Sequence, residues 1–155
     1  MARAYDVAQY LAFLATDNEP EPDPLTHLRL QKLLYYVQGW SLALRGKPMF
    51  QERIEAWAHG PVVPYVFQRL RDFGSEPFVY SGDPSQIPLD DEEASFVKQV
   101  WDSYKEYSAS SLRNMTHSEA PWITARGSCG PGEKCDAEIT HDSMRAFFSQ
   151  RAKEA

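Results

Sequence analysis

Four histidines and two cysteines are the side chains of this sequence best suited to hold a metal or attack a carbonyl, and their spacing supports neither. His27, His59, His117 and His141 lie far apart and form no HExxH or comparable ligand spacing, so there is no zincin centre. Cys129 and Cys135 stand in the glycine-rich run CGPGEKC. With His117 and His141 they could supply four zinc ligands, although the spacing fits no usual zinc module. Otherwise they are free thiols on a surface loop, or a pair open to oxidation, because they do not have the CxxC spacing of redox motifs. A Cys129–His117 nucleophile pair lacks the helix N-terminus or electropositive setting that would lower the thiol pKa, which makes a cysteine enzyme a poor reading. No catalytic, metal or cofactor residue is assigned, and the chain is expected not to be an enzyme.

Other chemistries fare no better. Neither GxxxxGK[ST] nor GxGxxG occurs, so the glycines build no phosphate cradle. A net charge of -6 argues against nucleic acid, which is normally met by clustered Lys and Arg. Helices around Gln31 and Arg69 could form a helix-turn-helix, but Leu25–Gly46 is too long for one and a strand over Ile54–Gly60 intervenes. A DNA-binding regulatory protein therefore ranks behind a protein-binding module. The acidic surface suits a basic protein partner, and solubility alone would also produce it.

These side chains need a scaffold, and the composition can build one. With 43% hydrophobic and 13% aromatic residues, 155 residues can bury a core without cross-links, and 1–155 is expected to be one compact domain. The N-terminus lacks the features of a secretory signal and no run approaches the ~20 apolar residues of a membrane-spanning helix. Two cysteines are too few for a secreted disulfide framework, so the cytoplasm is the expected compartment.

Val7, Leu11 and Leu14 predict a helix from about Arg3 to Thr16, after which the prolines of Asn18–Pro24 predict an extended acidic connector. Leu30, Leu33, Leu34, Val37, Ser41 and Leu44 predict a central core helix closed by Gly46 and Pro48. Ile54, Ala56 and Ala58 alternate, as a strand does, up to Gly60-Pro61. A third helix carries Val63, Val66, Phe67, Leu70 and Phe73, with Pro64 in its first turn and Gly74 as its cap. Phe78–Tyr80 and Gln86–Leu89 read as short extended pieces, the first able to pair with the strand before Gly60. Asp90 and Glu93 form a capping-box pattern, Ser108 and Thr140 are further N-caps, and Pro121-Trp122 opens a turn stopping near Gly127. The expected fold is mainly α, with about six or seven helices and a small β-hairpin or short strands near 52–58 and 77–89.

Aromatic and special backbone residues concentrate in AWAHGPVVPYVFQRLR (56–71) and NMTHSEAPWITARG (114–127). Gly60 and Pro61 suit a sharp turn from strand into helix, with His59 at the corner. Thr116, His117 and Trp122 could bond the exposed backbone ends of short helices, and His59 and His117 read first as buried corner-pinning residues. In order, LQKLLYYVQGWSLALRGKPMF, IEAWAHGPVVPYVFQRLR, LRNMTHSEAPWITAR and EITHDSMRAFF resemble the Panacea domain of SocA-like and GepA-like antitoxins, a family associated with phages and toxin–antitoxin pairs.

The resemblance implies a mainly helical antitoxin that neutralises a cognate protein toxin by direct binding, and in SocA-like members an adaptor that delivers the toxin to a Clp-type protease. The family's motif residues correspond to Trp57, His59, Gly60, Pro61, Val62 and Tyr65, and to Thr116, His117, Pro121, Trp122 and Arg126. The CGPGEKC insertion departs from many relatives, and without an appended DNA-binding domain autoregulation is not expected. Tyr35, Tyr36, Trp40, Trp57 and Tyr65 are the candidate aromatic anchors for the toxin, with acidic rim residues steering association. Aromatics at helical spacing are core more often than interface, so about two of these five are expected to face a partner.

Overall fold

The computed structural model describes residues 1–17, 25–74 and 76–154. Its helices are α1 (Ala4–Asp17), α2 (His27–Trp40), α3 (Pro64–Leu70), α4 (Asp91–Tyr104), α5 (Ala109–His117), α6 (Ala120–Arg126) and α7 (His141–Glu154), and the chain is mainly α as its periodicities predict. Their starts follow local chemistry. Asp90 Oδ1 accepts from the Glu93 amide at 2.8 Å while Glu93 Oε1 accepts from the Asp90 amide at 3.0 Å, so two otherwise unpaired N–H groups at the head of α4 are satisfied reciprocally. Ser108 caps α5 through the Ser111 amide and Thr140 caps α7 through the Ser143 amide, each at 3.1 Å. Pro64 and Pro121 occupy first turns of α3 and α6, where a missing N–H costs nothing. The expected connector Asn18–Pro24 lies outside the described residues.

A small antiparallel sheet of β1 (Ile54–Trp57), β2 (Gly60–Val62) and β3 (Glu138–Ile139) has the order β2-β1-β3. Its layout departs from expectation in two places. Trp57 pairs with Gly60, so the chain does not turn from strand directly into helix: Ala58 and His59 form a two-residue hairpin turn, and Pro61 lies inside β2 opposite Ala56. Gly60 supplies the φ of +122° there, an angle that L side chains rarely adopt. Phe78 does not join β1 but bridges to Leu25, its amide donating to Leu25 O at 2.7 Å, and Gln86 closes a 3₁₀ turn rather than opening a strand. The free edge of β1 is filled instead by β3, from far along the chain, with Ile54 opposite Ile139.

Every residue of α2 from Arg29 to Gly39 is buried, and α1, α3, α4, α5, α7 and β2 pack around it. Two of its buried polar side chains, Gln31 and Gln38, serve other segments' backbone. Gln38 Oε1 accepts from the Met49 and Phe50 amides at 2.8 and 3.2 Å, and its Nε2 donates to Phe50 O at 2.7 Å. Gln31 Oε1 accepts from the Val63 amide at 2.8 Å, fixing the entry to α3. The last turn widens into a π-helical segment, Ser41–Arg45, and Gly46 at φ +74° ends it.

At Gly39 the Phe148 ring of α7 lies directly against the backbone, in the space a Cβ would occupy. Gly39→Ala should consequently force α7 outward. Overpacking at the upper end of its usual cost, about 1–3 kcal/mol, outweighs the ~1 kcal/mol gain in helix propensity. A lowered midpoint in chemical denaturation is the expected result, and an unchanged or raised midpoint would show that the two helices are not in contact there.

Candidate functional site

The first turns of α2, the β1–β2 hairpin, the start of α3 and the loop after α6 enclose a largely apolar cleft of about 690 Å³. Trp57 and His27 each meet the Phe67 ring edge-on at 5.0 Å, giving the cleft an aromatic wall. Trp57 Nε1 donates to Glu55 Oε1 at 2.8 Å, which holds the indole in place. Among the described residues, two side chains lining this cleft keep polar atoms that are buried and unpartnered: both ring nitrogens of His27, and Nε2 of Gln31. Cys135 lines the far side and is joined to Cys129 by a disulfide. The four residues weighed as zinc ligands are thus not gathered, for His117 stacks on Trp122 and His141 Nε2 lies 3.4 Å from Gln38 Nε2.

Behind the hairpin the same elements form a cationic corner. Lys32 is 1% exposed, and among the described residues its Nζ has no hydrogen-bond partner. A Cβ at Gly60 would come within 2.8 Å of Lys32 Cε and 3.2 Å of Thr116 Oγ1, so glycine here admits the lysine as well as the backbone angle. Burial, with Arg113 adding to it, lowers the Lys32 ammonium to about 8. The His117 ring lies flat on Trp122 at 4.0 Å, and burial followed by Arg113 and Lys32 lowers its pKa as well. Trp122 Nε1 donates to Trp57 O at 2.9 Å. Arg126, buried, donates to Ala56 O, Gly130 O and Glu133 O at 3.0, 2.7 and 2.8 Å, tying the hairpin to the disulfide loop.

The motif residues Trp57, His59, Gly60, Pro61, Val62, Thr116, His117, Pro121, Trp122 and Arg126 thus gather on or beside one hairpin. His117 is half-buried against Trp122, whereas His59 is exposed at the hairpin tip, contrary to the buried role expected of it. The expected aromatic anchors divide. Tyr35 and Tyr36 are fully buried and cannot dock a partner, because α2 is enclosed on all sides. Their hydroxyls donate to the two carboxylate oxygens of Glu119, each at 2.9 Å. Trp40 is half-buried and donates through Nε1 to Tyr104 OH at 2.8 Å. Trp57 lines the cleft and Tyr65 is 42% exposed on α3, so these two remain accessible. Glu119, Lys32, Gln31 and His27 complete the arrangement, and none of the four stands among the residues assigned a motif role.

The family model described as Antitoxin SocA-like, Panacea domain, matches residues 30–123. The chain belongs to this family. Antitoxin SocA of Caulobacter vibrioides (strain NA1000 / CB15N) is 30% identical over 137 residues, which cover 81% of this chain and 72% of that protein. No solved structure matches the chain. The Panacea match runs from the first turn of α2 through the hairpin to Trp122 and Ile123, and so takes in Gln31, Lys32, Trp57, His59, Gly60, Thr116, His117 and Glu119. Arg126, the disulfide loop and α7 lie beyond it.

Proposed function

We propose that the chain is the antitoxin of a type II pair, acting in the cytoplasm as one domain that neutralises a protein toxin by direct binding and makes or breaks no bonds itself. The observation carrying this reading is the 30% identity to Antitoxin SocA along 81% of the chain. The cleft beside the hairpin supports it physically: a concave apolar wall of Trp57 and Phe67 with convergent unpaired polar groups is the form a protein anchor residue fits. Bound toxin is then delivered to a Clp-type protease, the mode we favour over simple occlusion on the strength of the SocA-like resemblance.

Growth rescue tests it. The neighbouring gene's product, induced alone, should arrest growth, and co-expression of this chain should restore it. Trp57→Ala should weaken the complex by about 30-fold, corresponding to a hot-spot loss of about 2 kcal/mol, with Tyr65→Ala weaker in effect. If both variants stay folded by circular dichroism and protect fully, the cleft is not the docking face. In cells lacking the Clp unfoldase, delivery predicts toxin accumulation and loss of rescue, while persistent rescue there would leave occlusion as the mode.

A further inference from the structure

Lys32, Arg113, Ser110, His59 and Leu28 line a second cavity of about 240 Å³, and Leu28 and His59 also line the larger cleft, so the two are adjacent. Among the described residues no carboxylate lines this smaller cavity. Among the described residues neither the Lys32 ammonium nor the Arg113 guanidinium has a hydrogen bond or ion pair, although Lys32 is 1% exposed. The first turn of α5, whose amides add a partial positive charge, opens onto the same space through Ala109 and Ser110. In a chain of net charge -6, two uncompensated cations turned into one pocket are not what solubility would produce. A buried ammonium with no counter-charge is costly, and the hairpin glycine is shaped around it: the space a Cβ of Gly60 would take belongs to Lys32 Cε and Nζ.

We propose that this cavity is a carboxylate-binding subsite, which takes an Asp or Glu side chain of the partner protein while a bulky apolar neighbour of that residue fills the adjoining cleft against Trp57 and Phe67. Lys32 meets the carboxylate as a buried point charge, Arg113 closes over it from the exposed side, and the Ser110 hydroxyl is a further donor. In the larger cleft the unpartnered Gln31 Nε2 and His27 nitrogens meet backbone groups of the same incoming segment. Adjacency to an aromatic-walled cleft favours a peptide acid over free phosphate, which would leave that wall empty. The inference deepens the antitoxin reading and rests on it, because it assumes a protein partner.

The full chain, native and Lys32→Met in parallel, is panned against a phage-displayed library of random linear peptides, with and without inorganic phosphate. The native chain should enrich Asp or Glu beside Trp, Phe or Leu. A synthetic peptide from that set should bind at least about tenfold more tightly than its Glu→Gln or Asp→Asn counterpart, the scale of a charge-assisted hydrogen bond. Lys32→Met should abolish that difference, and Arg113→Gln, at an exposed position that folding does not need, should reduce it by about threefold. Absence of any acidic preference, an identical preference on Lys32→Met, or phosphate binding at Lys32 with no peptide enriched would each overturn the subsite. Growth rescue separates this from the parent reading: rescue without acidic selection removes the subsite alone, whereas failed rescue removes the antitoxin assignment whatever the peptides show.

Discussion

Glu119→Ala is expected to cost about 3–5 kcal/mol, the largest loss of any single side-chain truncation considered for this fold. The carboxylate is 3% exposed at the N-cap of α6, and its two oxygens take the Tyr35 and Tyr36 hydroxyls at 2.9 Å each, with Arg151 at 3.7 Å. Alanine would leave two phenolic hydroxyls buried without an acceptor and a void beside the Tyr36–Tyr104 stack, whose ring centroids are 4.2 Å apart. Glu119→Gln keeps the volume but offers one acceptor oxygen where there were two, so a loss of about 1–2 kcal/mol is expected. Urea denaturation at neutral pH distinguishes them, and a Glu119→Ala midpoint equal to the native one would show that the carboxylate is not what secures the tyrosines. Burial lifts the Glu119 carboxyl above its ordinary 4.5, against the opposing pull of the tyrosine hydroxyls and Arg151. The folded chain therefore holds this proton more tightly than the unfolded one. Its contribution to stability is full below about 4.5 and is lost as pH rises through the lifted value, a dependence Glu119→Gln should lack.

Glu119 also marks where the sequence stops being legible. Helix starts at Asp90, Ser108 and Thr140 could be read because capping is settled within three residues of chain. An acid two residues before a proline gives no comparable signal, since its partners Tyr35 and Tyr36 lie 84 and 83 residues away. The same holds for β3, two residues long, too short for alternation and paired with β1 across most of the chain. In α2 the periodicity of Leu30, Leu33, Leu34 and Val37 implies one apolar face, and the polar residues between them, Gln31, Lys32 and Gln38, look like a solvated one. They are buried because their side chains serve the backbone of Val63, Met49 and Phe50, or, for Lys32, line the cationic cavity. That every residue from Arg29 to Gly39 is interior requires a helix enclosed all round, a tertiary fact that no window of sequence carries. The motif residues from 57–62 and 116–126 were visible as unusual. That they meet around one hairpin required the Trp122 and Arg126 bonds to Trp57 O and Ala56 O.

Lys32→Met should do the reverse of Glu119→Ala and stabilise the chain, by about 3 kcal/mol at neutral pH. Burial lowers the ammonium from 10.5 to about 8, and a gap of that size between unfolded and folded values corresponds to about 3 kcal/mol of cost for keeping it charged. Because the folded value lies below the unfolded one, the unfolded chain binds the extra proton between about pH 8 and 10.5, so native stability should rise with pH across that window. Of the titratable groups facing Lys32, His117 is itself held below the ordinary imidazole value by burial, Arg113 and Lys32, so its proton is exchanged below the window. Methionine fills the same volume without a charge, so the variant's midpoint should be higher below pH 8 and should converge on the native one near 10.5. Thermal or urea midpoints measured for both proteins across that range test it. A variant less stable than the native chain, or a native profile flat through the window, would mean that the ammonium is already satisfied, and the carboxylate subsite would lose its basis with it. If instead the stabilised variant no longer selects acidic peptides, an unfavourable buried charge is being held in place for what it binds, the trade of stability against function expected at a preorganised site.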